Sequence, residues 1–131
     1  MNENEINLPI VVFDKHWHEV LVYLSIEDAE ASIDLFHAKN NEYQIYDAKA
    51  TQLEIKYITK KESILFGLEN NEAECVVLEK TQALNRLDEL REILINFITR
   101  YGTSIDELST FSLDELIREA AKLPKFWRAI R

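Results

Sequence analysis

The chain carries a single cysteine, Cys75, among its 131 residues. An intrachain disulfide is therefore excluded, and so is a cysteine-rich metal site. Glycine is almost as scarce: Gly67 and Gly102 are the only two, which leaves no glycine-rich loop to cradle a phosphate. No apolar run approaches the roughly 20 residues that a membrane-spanning helix needs. Met1 to Phe13 lacks both a basic region and a long apolar stretch, so no secretory leader is expected and the cytoplasm is the expected location. Basic residues are in deficit, 15 Lys and Arg against 24 Asp and Glu, for a net charge of −9. That balance disfavours nonspecific binding to nucleic acid or to an anionic membrane, and it suits a basic protein partner.

What is present is ordinary for a soluble globular protein, with 47% hydrophobic and 30% charged residues. A chain of this length buries about two thirds of its unfolded surface, enough for one domain spanning residues 1–131. The organising stretch is Glu19 to Tyr57. Val20 to Leu24 is an apolar, β-branched and aromatic run that predicts a buried strand. Ser25 stands at the N-cap of a following helix, with Asp28 three residues on. Ile26, Ala29, Ile33 and Phe36 give that helix one apolar face, and Asn40-Asn41 ends it. Ile10 to Phe13 predicts a strand that pairs with Val20 to Leu24 through the polar turn Asp14 to His18. Glu42 to Tyr46 and Gln52 to Ile58 predict a second hairpin, whose loop starts at Asp47, a residue able to bond the backbone that follows it. Lys60-Lys61 reads as punctuation, and Ser63 to Gly67 with Glu74 to Glu79 reads as a further strand pair.

From Thr81 the apolar period becomes helical. Leu84, Leu87, Leu90, Leu94, Phe97, Ile98 and Tyr101 share one side, Thr81 caps the start, and Gly102 is placed for a left-handed stop. About 20 residues at 1.5 Å each predict a rod of roughly 30 Å. Ser104 to Leu108 predicts a single turn. Ser112 and Glu115 form a capping box that opens a helix from Leu113 to Leu123, before Pro124 and a last segment, Lys125 to Ile130. The expected fold class is α+β. A meander-like antiparallel sheet is packed by an N-terminal helix and a long C-terminal helix, with short helices at the C-terminus.

Chemistry is thin. His16 and His18 would face the same way on a strand, but a transition-metal site takes three or four ligands, and nothing in the sequence brings His37 to the pair. Cys75, between Glu74 and Val76, lacks a neighbouring basic group or helix start to activate it, and a buried inert thiol is the expectation. Acidic pairs such as Asp106-Glu107 and Asp114-Glu115 have a helix-start explanation. No catalytic residue, cofactor or metal is therefore expected. Charge is more informative. Glu62 to Glu79 holds five glutamates and no Lys or Arg, Thr103 to Glu119 holds five acids against Arg118, and the tail from Lys122 reverses sign. Solvated faces account for each segment alone, whereas together they suit a surface that steers a basic partner. Trp17, Phe126 and Trp127 are candidate interface aromatics, with core packing favoured for the last two.

One segment resembles a known family. Ser25-Ile26-Glu27-Asp28-Ala29-Glu30, then Asn41-Glu42-Tyr43, Tyr46-Asp47-Ala48 and Leu53 are similar to small bacterial immunity proteins of polymorphic and contact-dependent growth inhibition toxin systems. The likeness covers about 30 of the 131 residues. The chain departs from the pattern at Asn40-Asn41 and at Lys49-Ala50, where glycine is usual. The resemblance implies an antitoxin: a cytoplasmic, non-enzymatic protein that binds the C-terminal domain of a cognate toxin, possible nucleases included, and blocks it by steric and electrostatic means. No binding residue carries over by motif. From charge alone, the expected toxin-binding residues are Glu69, Glu72, Glu74, Asp106, Glu107, Asp114 and Glu115. Two other classes compete: an acidic secretion chaperone or adaptor that binds an effector protein, and a small enzyme that would gather Cys75 or His16 and His18 in a cleft.

Overall fold

The computed structural model describes residues 5–62, 71–80 and 85–123. Strands β1 (Ile10–Asp14) and β2 (Glu19–Tyr23) form the first hairpin, in the register Ile10↔Tyr23 to Asp14↔Glu19. Helices α1 (Ile26–Ser32) and α2 (Leu35–Lys39) follow, then β3 (Tyr43–Tyr46), β4 (Gln52–Glu62) and β5 (Asn71–Glu79). Three helices close the described chain: α3 (Leu87–Thr99), α4 (Ile105–Leu108) and α5 (Leu113–Lys122). The sheet is antiparallel throughout, with strand order β2-β1-β3-β4-β5. It is a meander save at one step, where α1 and α2 carry the chain across β1 so that β3 pairs there and not with β2. The fold is α+β, as the sequence predicts.

Alternation along the strands sends side chains to two separate cores. Ile10, Val12, Ile45, Leu53, Val76 and Leu78 meet Ala29, Ile33 and Ala38 of the α1–α2 layer. Val11, Val20 and Tyr46 face the other way, against Leu90, Leu94, Phe97 and Ile98 of α3 and Leu116, Ile117 and Ala120 of α5. The edge strand β5 is partly covered, since Glu30 of α1 accepts the Leu78 N–H at 2.8 Å. No helix among the described residues is long and apolar enough to cross a membrane.

Four departures from the sequence reading have physical causes. The first helix is two: Ser25 caps α1 as expected, but Ile33 turns extended and Asp34 caps a new start by accepting the His37 N–H at 3.0 Å. The restart changes the helical phase, so Phe36 is 71% exposed and does not join the apolar face. Helix α3 has 13 residues, about 20 Å, because Asn85 bridges Thr51 and the Arg86 N–H bonds the Ala50 carbonyl, which ties both residues to the β3–β4 connection ahead of the helix. Finally, β4 runs on through Lys60-Lys61 to Glu62 and itself pairs with β5, Lys61 opposite Glu72. Ser63 to Gly67, Thr81, Leu84 and the segment from Pro124, with Phe126 and Trp127, lie outside the described residues.

Left-handed backbone occurs where the chain turns hardest. Gly102 has φ +102 beyond the end of α3. Asn41 and Ala50, at the two places where the family pattern carries glycine, adopt φ 58 and 64 without it.

Candidate functional site

The β1–β2 turn builds the most distinctive corner of the surface. Asp14 ends β1, and its Oδ1 accepts the backbone N–H groups of His16 (3.0 Å) and Trp17 (3.3 Å). The N–H of Lys15 donates to the Glu42 carbonyl at 2.8 Å, and the Arg100 guanidinium donates to the carbonyl of His18, which itself sits at φ 52. Fastened from both sides, the turn cannot tuck its indole inward, and Trp17 stays 58% exposed.

Helix α2 brings His37 and Phe36 to the same corner. The Asp34 cap sets where α2 begins, and left-handed Asn41 then returns the chain so that the Glu42 N–H bonds the His37 carbonyl at 3.0 Å. Glu42 thereby lies between two imidazoles, its Oε2 2.7 Å from His37 Nδ1 and its Oε1 3.4 Å from His16 Nδ1. The hydrogen bond to Glu42 raises the His37 pKa above its ordinary value, helped by the charges of Glu42, Asp34 and Asp14. Four rings follow in a row: Trp17 edge-on to His16 at 5.0 Å, His16 stacked on His37 at 6.1 Å, and His37 edge-on to Phe36 at 5.4 Å.

Clefts open on either side of Trp17. One, of about 530 Å³, lies between the sheet and α3 and is lined by Phe13, His18, Gln44, Glu89, Glu92 and Arg100 among others. The other, of about 720 Å³, lies on the α1–α2 side, with Asp14, Tyr23, Asp28, His37 and Tyr43 in its wall. Burial, foremost, and the negative charges of Asp14, Asp34 and Glu42 push the Tyr43 hydroxyl above its ordinary pKa, against the Asp34 N–H that it accepts at 3.3 Å.

His16 and His18 therefore do not share a strand face. They sit in a turn and part, His16 to His37 and His18 to the α3 cleft. Among the described residues no three His, Cys, Asp or Glu side chains are placed to hold a metal. Cys75 lies half-buried in β5, in register with Ile58.

The acids expected at an interface fall into two groups that the fold keeps apart. Glu72 and Glu74 are on β5, one edge of the sheet, where exposed Glu74 pairs with Lys39. Glu69 lies outside the described residues. Asp106 and Glu107 fill the first turn of α4, and Asp114 and Glu115 that of α5, a helix packed on α3 and on β2 at the opposite sheet edge. All four are exposed. Glu115 is committed to its helix: the Ser112 N–H donates to its carboxylate at 3.0 Å, and this bond, with that of the Ser112 hydroxyl, holds the carboxyl below its ordinary pKa. Sequence reasoning singled out Trp17 but missed Phe36, His37 and Glu42. The available signal was Asp34, three residues before His37, which is the spacing of a cap that restarts a helix.

No protein-family model, no curated protein and no solved structure matches this chain.

Proposed function

We propose that this chain is an immunity protein, cytoplasmic and without catalytic activity of its own, that binds the C-terminal domain of a cognate bacterial toxin and neutralises it by steric and electrostatic blocking. The observation that carries a protein-binding role is the solvent-facing row Trp17–His16–His37–Phe36. Trp is enriched at the energetic centres of interfaces, and a large aromatic that stays out of a nearby core is available to anchor a partner. The net charge of −9 supports a basic partner, and the exposed acids Asp106, Glu107 and Asp114 on the C-terminal helices and Glu74 on edge strand β5 would steer its approach. The resemblance of the Ser25–Leu53 segment to immunity proteins supplies the identity of that partner. Neither nucleic acid nor membrane is a partner in this reading.

Co-expression with the C-terminal domain encoded immediately upstream tests the proposal. Rescue of growth together with a co-purifying complex is the expected result. Poisoning of the cells while both proteins are well expressed overturns it, and binding to an extended, unfolded effector segment instead would put a secretion chaperone in its place.

A further inference from the structure

The two clefts beside Trp17 differ in one respect that points to a ligand. In the α3 cleft the chain supplies its own cation, with Arg100 in a wall that also holds Glu89 and Glu92. Among the described residues the α1–α2 cleft has no Lys or Arg in its wall, yet it is lined by Trp17, Tyr23 and Tyr43 and by Asp14 and Asp28. Aromatic π faces and carboxylates both attract positive charge, so this wall is complementary to a cation. Asp14 spends its Oδ1 on the turn, and its Oδ2 has no hydrogen bond among the described residues. Among the described residues of the wall His37 is the one base, and any proton it takes is matched by Glu42 at 2.7 Å. The cleft therefore stays cation-seeking whether His37 is charged or neutral.

We propose that this cleft receives an arginine side chain of the toxin domain, its guanidinium among Trp17, Tyr23 and Tyr43 and facing the carboxylates of Asp14 and Asp28. The inference rests on the protein-binding reading above and names the chemistry of its central contact. A planar guanidinium is favoured over an ammonium because it stacks on aromatic faces, sheds water more readily and can engage a carboxylate through two parallel hydrogen bonds. At about 720 Å³ the cleft admits such a side chain.

The test is an NMR titration of the full chain with N-acetyl-arginine amide, against its neutral isostere N-acetyl-citrulline amide and against tetramethylammonium. Saturable shifts of the Trp17 indole N–H and the Asp14 and Tyr43 amides with the arginine probe are expected. Asp14→Asn, which keeps the turn-capping oxygen, and Asp28→Asn should each weaken binding about 2- to 5-fold, and Trp17→Leu about 2- to 5-fold. Equal shifts with citrulline, or arginine binding undiminished in the Asp14→Asn/Asp28→Asn chain, overturn the inference. Tetramethylammonium binding as well as arginine overturns the commitment to a guanidinium. Toxin complex formation separates this inference from the reading beneath it. Wild-type rescue with toxin affinity unchanged in the double variant sinks the arginine contact alone. Arginine binding at the cleft without wild-type rescue sinks the immunity reading and leaves an arginine site for another protein.

Discussion

Two aspartates, Asp14 and Asp47, begin the two hairpin connections that flank β1 and β3, and they do opposite things. Each accepts the N–H of the residue two positions on, and each turn ends at a left-handed residue, His18 in one and Ala50 in the other. Asp47 is fully buried and both its oxygens are used. Oδ1 accepts from Lys49 N–H (2.9 Å) and Thr51 N–H (3.0 Å), and Oδ2 from the backbone and side chain of Asn7, both at 3.2 Å. It ties the N-terminal segment to the hairpin, and the neighbouring Ala50 carbonyl and Thr51–Asn85 bridge carry the tie on to the entry of α3. Among the described residues Asp14 uses one oxygen and binds only its own turn, and Trp17 stays in solvent. The same local device serves the core in one place and holds a binding surface open in the other.

Breaking each device separates the roles most strongly. Asp47→Ala leaves buried N–H groups without an acceptor and should lower stability by about 3 kcal/mol in urea unfolding. Asp14→Ala, in an exposed turn, should cost about 1 kcal/mol or less. Equal losses would dissolve the distinction between the two turns. Trp17→Ala sharpens it from the other side. An exposed indole contributes little to folding, so stability should move by less than about 0.5 kcal/mol. Affinity for the toxin domain, read by calorimetry, should fall by about 2 kcal/mol, or roughly 30-fold, if Trp17 is the anchor. Unchanged affinity would move the interface away from this corner.

How much of this was legible in the sequence follows the range of the forces. Ser25 and the Ser112–Glu115 box cap the helices they were expected to cap, because a cap needs only three or four neighbouring residues, and Ser104 caps the single turn expected after it. Leu90, Leu94, Phe97 and Ile98 are buried as their spacing predicts. Asp34 was equally local, but its cap competed with an apolar pattern that ran past it to Phe36, and the cap prevailed. The rest was written in contacts between distant residues. Lys60-Lys61 looked like a break because only pairing with Ala73 and Glu72 across the hairpin makes it strand. Leu87 and Tyr101 match the helical face yet are 41% and 38% exposed, since Leu87 opens α3 and Tyr101 lies past its end at Thr99. Glu42 reads as the start of β3, and only the tertiary fold sets it between His16 and His37. The acids at the starts of α4 and α5 were visible as pairs, but their separation from β5 was set by strand order.

The smallest expected effect concerns pH, and it belongs to the exposed corner. The folded pKa of His37 lies above its unfolded value of about 6.5, chiefly through the Glu42 hydrogen bond, with the charges of Glu42, Asp34 and Asp14 adding and partial desolvation opposing. His16, stacked at 6.1 Å, shares the same carboxylate. A raised pKa means that folding favours the protonated form, so the linked stabilisation is fully present below about pH 6.5 and is lost as pH rises through the folded pKa. His37→Gln removes the titrating group, and Glu42→Gln removes the principal cause of the shift. Melting temperatures of wild type and His37→Gln, compared from about pH 5.5 to 8.5, should differ most at the acid end and converge toward the alkaline end. Taking the difference cancels the titration of groups that His37 does not touch. A gap that widened with rising pH would mean that folding favours neutral His37, and would overturn the role given to the Glu42 hydrogen bond in raising its pKa.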